Sequence, residues 1–125
     1  MSTLEAVMTT QEVANRMNEL FKENKWQEVQ DELFADDVLS IEPEHSQAVK
    51  TAQGKETLKK KAQDFGAMIE EMHGGWCSEP IVAGNFISFG MGMDCTMKGM
   101  GRTKMDEIAV YEVKDGKVIK EQFFF

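Results

Sequence analysis

The feature that most constrains the fold is a series of β-type runs that fills the last 50 residues of the chain. The runs cover residues 76–82, 86–97, 103–113 and 118–125, and turn signals separate them. Asp115-Gly116, before the last run, is a strong two-residue hairpin signal. Strands joined in this way form an antiparallel meander. Because helical patterns come first in the chain, the order predicts a curved sheet wrapped around a helix, with a pocket between them.

Three helices and one short strand are predicted ahead of the meander. Thr10 is the expected N-cap of the first helix, whose apolar residues recur at spacings of four, three and one. A second, short helix follows Asn24-Lys25 and places Trp26, Val29 and Leu33 on one face. The third and longest helix begins at residues 54–56 and is expected to end at Gly74-Gly75. Residues 38–42 form the predicted strand, which Pro43 ends, and residues 44–53 read as a loop.

The length of the chain and its element order fit one α+β domain. We expect residues 1–9 to be a flexible N-terminus and residues 10–125 to form the domain. A chain of 125 residues buries enough apolar surface to fold without disulfides or metals. Cys77 and Cys95 lie on different predicted strands and have no metal-ligand spacing, so we expect free thiols, with a disulfide between strands as the alternative.

The charge and the apolar runs exclude several partners. The net charge of −8 opposes binding to phosphate backbones, so we expect no nucleic-acid partner. Apolar runs are all far shorter than the roughly 20 residues that a membrane-spanning helix needs. The N-terminus lacks a basic segment followed by an apolar one, which predicts a cytoplasmic protein with no membrane partner.

Both faces of the predicted sheet carry apolar side chains. Ile108 and Val110 share one face of the third run, and Ala109 and Tyr111 share the other. Helices cover one side of a single sheet, so the other side is left as an apolar patch of the kind that marks an interface. We therefore expect a homodimer through the outer face.

This pattern resembles the nuclear transport factor 2-like superfamily, and within it the SnoaL-like and ketosteroid-isomerase-like proteins. The resemblance covers residues 10–125 and rests on three stretches of sequence: Phe34-Ala35-Asp36-Asp37-Val38 leading into Glu42-Pro43, Gly54-Lys55-Glu56, and Lys114-Asp115-Gly116-Lys117-Val118. It implies a cystatin-like, cone-shaped α+β barrel, with three N-terminal helices packed on a strongly curved, mostly antiparallel sheet. The superfamily includes enzymes, binders and dimerisation modules, so function has to be argued from the site.

The resemblance also implies three candidate catalytic carboxyls. Glu42, in its acid-proline pair, matches the proton-shuttling base of ketosteroid-isomerase-like members. Asp106 matches the position of a protonated acid that hydrogen-bonds a developing oxyanion, and Glu121 lies on the strand face that looks into the cavity of this fold. Carboxyls held close together in an apolar cavity have different pKa values, so that one donates a proton while another accepts one.

Each carboxyl also has a plain structural alternative. Glu42 could be solvated at a strand end, Asp106 could bond backbone or a lysine, and Glu121 could pair with Arg102 or a lysine. A slip of one residue in the face assignment would turn Glu121 outward. The isomerases also place a tyrosine on the first helix, where this sequence has residues 17–21, Met-Asn-Glu-Leu-Phe, so a steroid-type isomerase is not expected.

The expected ligand is a small hydrophobic or aromatic molecule, because the predicted pocket is lined by apolar side chains. These nine are Met17, Phe21, Phe65, Met68, Met72, Met91, Met93, Phe123 and Phe125. A filled interior, in which the same side chains touch one another, is the alternative. We expect no cofactor and no metal, since the two histidines stand apart and no cysteine cluster exists. The predicted function is ligand binding with carboxylate-driven proton transfer, and the alternative is a non-catalytic binding or dimerisation module.

Overall fold

The structure is a computed structural model that describes residues 6–46 and 49–125. In this part of the chain, helices and strands follow one another in the order α1 (Thr10–Lys22), α2 (Trp26–Leu33), β1 (Phe34–Ile41), β2 (Ala52–Gln53), α3 (Lys55–Met68), β3 (Ile69–Cys77), β4 (Ile81–Ala83), β5 (Phe86–Met97), β6 (Gly101–Lys114) and β7 (Lys117–Phe124). The first five residues of the predicted flexible N-terminus, and residues 47 and 48 of the predicted loop, lie outside the described residues.

Helix α1 begins with a capping box one residue earlier than predicted. The Thr9 hydroxyl accepts from the Glu12 backbone N–H, and the Glu12 side chain accepts from the Thr9 backbone N–H. Thr10, the expected cap, is the first helical residue. The face of α1 that contacts the sheet buries Val13, Ala14, Met17, Leu20 and Phe21.

The strands form one curved, unclosed sheet that is antiparallel except at one junction. Its strand order is β2-β1-β7-β6-β5-β3, and β4 also pairs with β5. The one parallel pair is β1 with β7, which places the first strand of the chain beside its last strand. The predicted α+β architecture of three helices on a mostly antiparallel sheet is therefore confirmed.

The sequence prediction placed several element boundaries wrongly: β1 begins at Phe34 and not at residue 38, and residues 52–53 of the predicted loop form β2. The third helix ends at Met68, and residues 69–77 form strand β3, whereas the helix was expected to continue to residue 73. Sheet pairing prevails there because β3 finds a full antiparallel partner in β5. The predicted strand 76–82 is interrupted around Pro80, which has no backbone N–H to donate, so β3 and β4 are separate strands.

The two faces of the sheet have different environments. The inner face, which we define as the face turned to the helices, buries Ile87 and Phe89 of β5 together with Ala109 and Tyr111 of β6. Val13, Met17 and Phe21 of α1 pack against this face and complete the core. The outer face carries the alternate residues of the same strands and is partly exposed. None of the described helices is long and apolar enough to cross a membrane.

A tryptophan lies across the glycines of β5 on the outer face. A Cβ at Gly92 would collide with Nε1 of Trp76 and with Oδ1 of Asp106, and a Cβ at Gly90 would come within 3.1 Å of the indole ring. The close approach that glycines inside this strand predict is therefore made by Trp76. Its Nε1 donates a hydrogen bond of 2.9 Å to Asp106 Oδ1.

Candidate functional site

A cluster of polar and charged side chains lies on the inner face of the sheet beside the apolar core. Four elements contribute to it. Ser40 lies on β1, and Glu42 is the first residue after that strand. Lys61 is on α3, Glu107 is on β6, and Glu121 is on β7. Ser40 is fully buried, and Glu42 and Glu121 are only 9% and 6% exposed. Buried carboxyls are costly unless they are paired or neutral, so the contacts inside this cluster determine its charge state.

Glu42 forms an ion pair with Lys61 at the edge of the cluster. The Lys61 ammonium donates to Glu42 Oε2 over 2.9 Å, and the two side chains are 18% and 5% exposed respectively. The Glu42 backbone N–H also donates to the Thr51 hydroxyl, which fixes the chain just after β1. This pairing places Glu42 in the interior beside a cation, so the alternative of a solvated carboxyl at a strand end does not apply.

Ser40 connects the ammonium of Lys61 to the carboxyl of Glu121. Lys61 Nζ donates to Ser40 Oγ over 2.9 Å, and Ser40 Oγ donates to Glu121 Oε1 over 2.8 Å. The parallel pairing of β1 with β7 places Ser40 directly opposite Glu121. Three side chains that are far apart in sequence thus form one continuous chain of hydrogen bonds.

Two carboxyls of the cluster have strongly raised pKa values. Burial raises the pKa of Glu121 to about 7, and the charges of Glu42 and Glu107 add to the rise. The hydrogen bond from Ser40 and the charge of Lys61 act in the opposite direction. The pKa of Glu107 is also raised to about 7, first by burial and then by the charge of Glu42. Near neutral pH, the cluster can therefore both hold and accept a proton.

The only tyrosine of the chain lies beside these acids. Tyr111 of β6 faces Glu121 across the β6–β7 pair and is buried on the inner face. Burial, followed by the nearby negative charge of Glu121, raises the pKa of its phenol well above the ordinary value. Tyr111 therefore keeps its proton. The chain lacks a tyrosine on α1, and its one tyrosine lies instead on the sheet, opposite Glu121.

Asp106 does not belong to this cluster, and its predicted place in the interior is wrong. It is exposed on the outer face, where Trp76 bonds its carboxylate. Side chains of a strand alternate between faces, so Glu107, the next residue, takes the interior position instead. The alternation of β6 did indicate that Glu107 shares a face with Ala109 and Tyr111, and the structure turns that face inward. Asp106 and Glu121 lie on opposite faces of the sheet.

The nine side chains expected to line a pocket are distributed over several environments. Met17, Phe21 and Met91 are buried in the core, and Phe123 packs against it. Phe65, Met68 and Met93 are partly buried, whereas Met72 and Phe125 are 52% and 50% exposed. Met72 lies on β3 and not on the third helix, while Phe125 packs edge-on against His45. A pocket lined by all nine side chains together remains a prediction.

Two open concavities lie on the surface of the described residues. One, of about 260 Å³, runs between the segment 49–52 and α3, and both Phe65 and Lys61 line it. Because Lys61 also contacts Ser40 and Glu42, this concavity adjoins the polar cluster. The other, of about 350 Å³, lies around Trp76 and Asp106 and includes Met93. Within residues 6–46 and 49–125, no group of His, Cys, Asp and Glu side chains is arranged to hold a metal ion.

The family model for the SnoaL-like domain matches residues 8–125. The chain belongs to the SnoaL-like family. A SnoaL-like protein from Mesorhizobium loti, whose name proposes a polyketide cyclase [carbohydrate phosphatase], is 34% identical to it. The two structures superpose with a TM-score of 0.88 over 94% of this chain and 100% of the other. A search of the curated proteins found no match.

More distant structures share the fold of this SnoaL-like chain. An NTF2-like protein of unknown function from Burkholderia pseudomallei is 18% identical, with a TM-score of 0.73 over 94% of this chain and 92% of that one. A protein of unknown function with a cystatin-like fold, from Xanthomonas campestris, is 14% identical, with a TM-score of 0.71 over 94% and 90%. The resemblance inferred from the sequence is thereby confirmed, both for the family and for the fold.

Proposed function

We propose that this SnoaL-like protein binds a small hydrophobic or aromatic molecule between its helices and the inner sheet face, and moves a proton on it. The observation that carries this proposal is the pair of inward carboxyls, Glu107 and Glu121, whose pKa values are both raised to about 7. Apolar side chains accompany them, since Met91 faces Glu107 across β5–β6 and Phe123 follows Glu121 by two residues. Such a site suits an apolar molecule that carries one or two polar groups.

The reaction class is proton abstraction next to a carbonyl group. In this proposal, ionised Glu107 takes a proton from the carbon beside the carbonyl, which leaves an enolate. Protonated Glu121 donates a hydrogen bond to the enolate oxygen, and the proton on Glu107 then returns to carbon. Glu42 is auxiliary, since its charge raises the pKa of both acids. Return of the proton to a different carbon gives an isomerisation, and attack of the enolate on a second carbonyl gives a cyclisation.

A simple carbon acid tests this proposal without knowledge of the natural substrate. β-Tetralone is an aromatic ketone whose α-hydrogens exchange with heavy water, and proton NMR follows the exchange. We expect the protein to accelerate exchange, and Glu107→Gln or Glu121→Gln to lower the acceleration by roughly 100-fold or more, the scale of general acid–base catalysis. Asp106→Asn is the matched control, since its side chain lies on the outer face, and it should exchange as fast as the parent protein.

The outcomes separate catalysis from simple binding. Binding of β-tetralone without accelerated exchange would favour the non-catalytic binding module. Loss of exchange in Asp106→Asn, with normal rates in the two glutamine variants, would overturn the assignment of the inner-face acids. Native mass spectrometry of the purified protein would also show any small molecule that accompanies it.

A homodimer through the outer face is the second part of the proposal. Ile108 faces Gly90 on one side, where the Trp76 ring lies, and Phe124 on the other. The side chains of Trp76, Ile108 and Phe124 form a row across the sheet, and each is about half exposed. An apolar row of this kind suits a second copy of the same surface. Native mass spectrometry should find dimers for the parent protein and monomers for Ile108→Lys, whereas Met100→Lys, at an exposed turn, should leave the dimer intact.

A further inference from the structure

The side chain of Ser40 has a fixed role in the hydrogen-bond chain, because its neighbour Lys61 can only donate. A lysine ammonium carries three donors and no acceptor. The bond of 2.9 Å between Lys61 Nζ and Ser40 Oγ therefore uses the serine oxygen as its acceptor. The hydroxyl hydrogen of Ser40 is then free for the other bond of the chain, the bond of 2.8 Å to Glu121 Oε1.

Glu121 Oε1 must accept that hydrogen, so it cannot itself carry a proton toward Ser40. A protonated carboxyl has one O–H and one carbonyl oxygen. With Oε1 as the accepting carbonyl oxygen, the proton of the neutral acid belongs to Oε2. A serine with no lysine beside it could instead accept from the acid, and both arrangements would then be open.

We propose that Lys61 and Ser40 are positioning residues that place the acidic proton of Glu121 on Oε2, the oxygen that does not face β1. Neither side chain touches a substrate in this proposal. Together they act on Glu121, and Lys61 in turn is held by its ion pair with Glu42. The inference deepens the proposed function and rests on it. The oxygen of Glu121 that carries the proton decides where the enolate oxygen must lie to accept its hydrogen bond.

The surroundings of Glu121 support a role for the lysine beyond charge neutralisation. Facing Glu121 are Lys61 from α3, Glu42 after β1, and Glu107 and Tyr111 from β6, and the charges of Glu42 and Glu107 both favour its neutral form. The charge of Lys61 and the hydrogen bond from Ser40, which lies between Lys61 and Glu121, act in the opposite direction. Glu121 can thus remain an acid near neutral pH while one of its oxygens stays occupied by a donor.

Infrared difference spectra, recorded without ligand below and above the Glu121 pKa of about 7, test this assignment directly. The carbonyl stretch of a protonated carboxyl is separate from the amide bands, and a hydrogen bond to the carbonyl oxygen lowers its frequency. Glu121→Gln identifies the band by removing it, and Glu107→Gln identifies the band of the other acid. In Ser40→Ala, the Glu121 band should move to higher frequency, because its carbonyl oxygen loses its donor.

The lysine variants test whether Lys61 fixes the direction. Lys61→Met combined with Glu42→Gln avoids an unpaired buried charge, and there the Glu121 band should shift and broaden as Ser40 becomes free to accept. Lys61→Arg remains a pure donor and should keep the parent band. The matched control is Lys60→Met, because Lys60 is exposed and pairs with Asp64 on the same helix. Glu42→Gln alone separates the loss of charge from the loss of the donor.

The inference is overturned by any one of three results. These are an unmoved Glu121 band in Ser40→Ala, a parent-like band in the Lys61→Met, Glu42→Gln variant, or no carboxyl band assignable to Glu121. Circular dichroism confirms that each variant is folded, and Ser40→Cys, with its weaker donor, should give a smaller shift if the alanine variant is unstable. Since no ligand is present, these results are independent of the β-tetralone exchange, so the positioning role can fail while the proposed function stands, and the reverse.

Discussion

The ammonium nitrogen of Lys61 lies 2.9 Å from Oε2 of Glu42 and 2.9 Å from Oγ of Ser40, where β1 meets α3. One side chain from a helix thus satisfies two polar groups at the end of a strand, and both of those groups are buried. Because the same lysine lines a surface concavity, it stands between solvent and the interior acids.

Replacing Lys61 should destabilise the protein strongly. Lys61→Met leaves Glu42 buried without its cation, and loss of one partner of a buried ion pair costs about 3–5 kcal/mol. Urea unfolding followed by circular dichroism measures the change in the free energy of unfolding. Lys60→Met removes an adjacent lysine from an exposed pair and should change stability by less than about 1 kcal/mol. Equal effects of the two substitutions would contradict the buried-pair account.

Glu121 should make the protein less stable as the pH rises. Its pKa is raised from 4.5 to about 7 in the folded state, so the folded protein binds more protons than the unfolded chain between these values. Stability from this group is full below about pH 4.5 and falls by about 3 kcal/mol as the pH rises to about 7. Glu121→Gln mimics the neutral acid and can still accept from Ser40.

The measurement for Glu121 is the difference in unfolding free energy between variant and parent across this pH range. The difference should grow in favour of Glu121→Gln with rising pH and then level off. A constant difference would show that Glu121 titrates normally in the folded state.

The neighbours Glu107 and Asp106 should respond differently to the same test. Glu107 faces the interior acids and its pKa is raised to about 7, so Glu107→Gln should also gain stability relative to the parent as the pH rises. Asp106→Asn changes a carboxylate on the outer face, where it contacts Trp76 and not the interior acids, and should show no such gain over the same pH range. A gain in Asp106→Asn and none in Glu107→Gln would reverse the face assignment of β6.

Gly92 should not tolerate a side chain. Its Cβ would meet Trp76 and Asp106, so Gly92→Ala should displace the indole and cost about 1–3 kcal/mol, the usual scale of overpacking. Gly74→Ala is the matched control, because a Cβ at Gly74 on the neighbouring strand has no atom within 4 Å. Thermal unfolding gives the stability. Tryptophan fluorescence in a Trp26→Phe background reports on Trp76, and an unchanged spectrum in Gly92→Ala would contradict the displacement.

The local patterns of the chain predicted most of the fold. The helical stripe of α1 and the hairpin signal at Asp115-Gly116 appear where they were expected, and β5 has its predicted ends. These features depend on side-chain periodicity and backbone preference within a few residues. The predicted extension of the third helix failed at Ile69, because the apolar spacing there fits a helix and a strand alike, and only the partner strand β5 decided between them.

The candidate site was predicted less completely, because its members meet through pairings that span most of the chain. Glu42 and Glu121 were identified as candidates, but Lys61 and Ser40 were not. The alternation of β6 indicates which residues share a face, but it does not indicate which face turns inward. That choice placed Glu107 inside and Asp106 outside.

By itself, the sequence determined the family, the three helices ahead of a mostly antiparallel meander, and two of the acids that the site contains, Glu42 and Glu121. The tertiary structure alone decided which acids meet, because the parallel pairing of β1 with β7 brings Ser40 opposite Glu121 from 81 residues away. Local periodicity fixes which side chains share a face. Long-range pairing fixes their neighbours across the sheet, and the packing of α3 over β1 places the Lys61 ammonium beside Ser40 and Glu42.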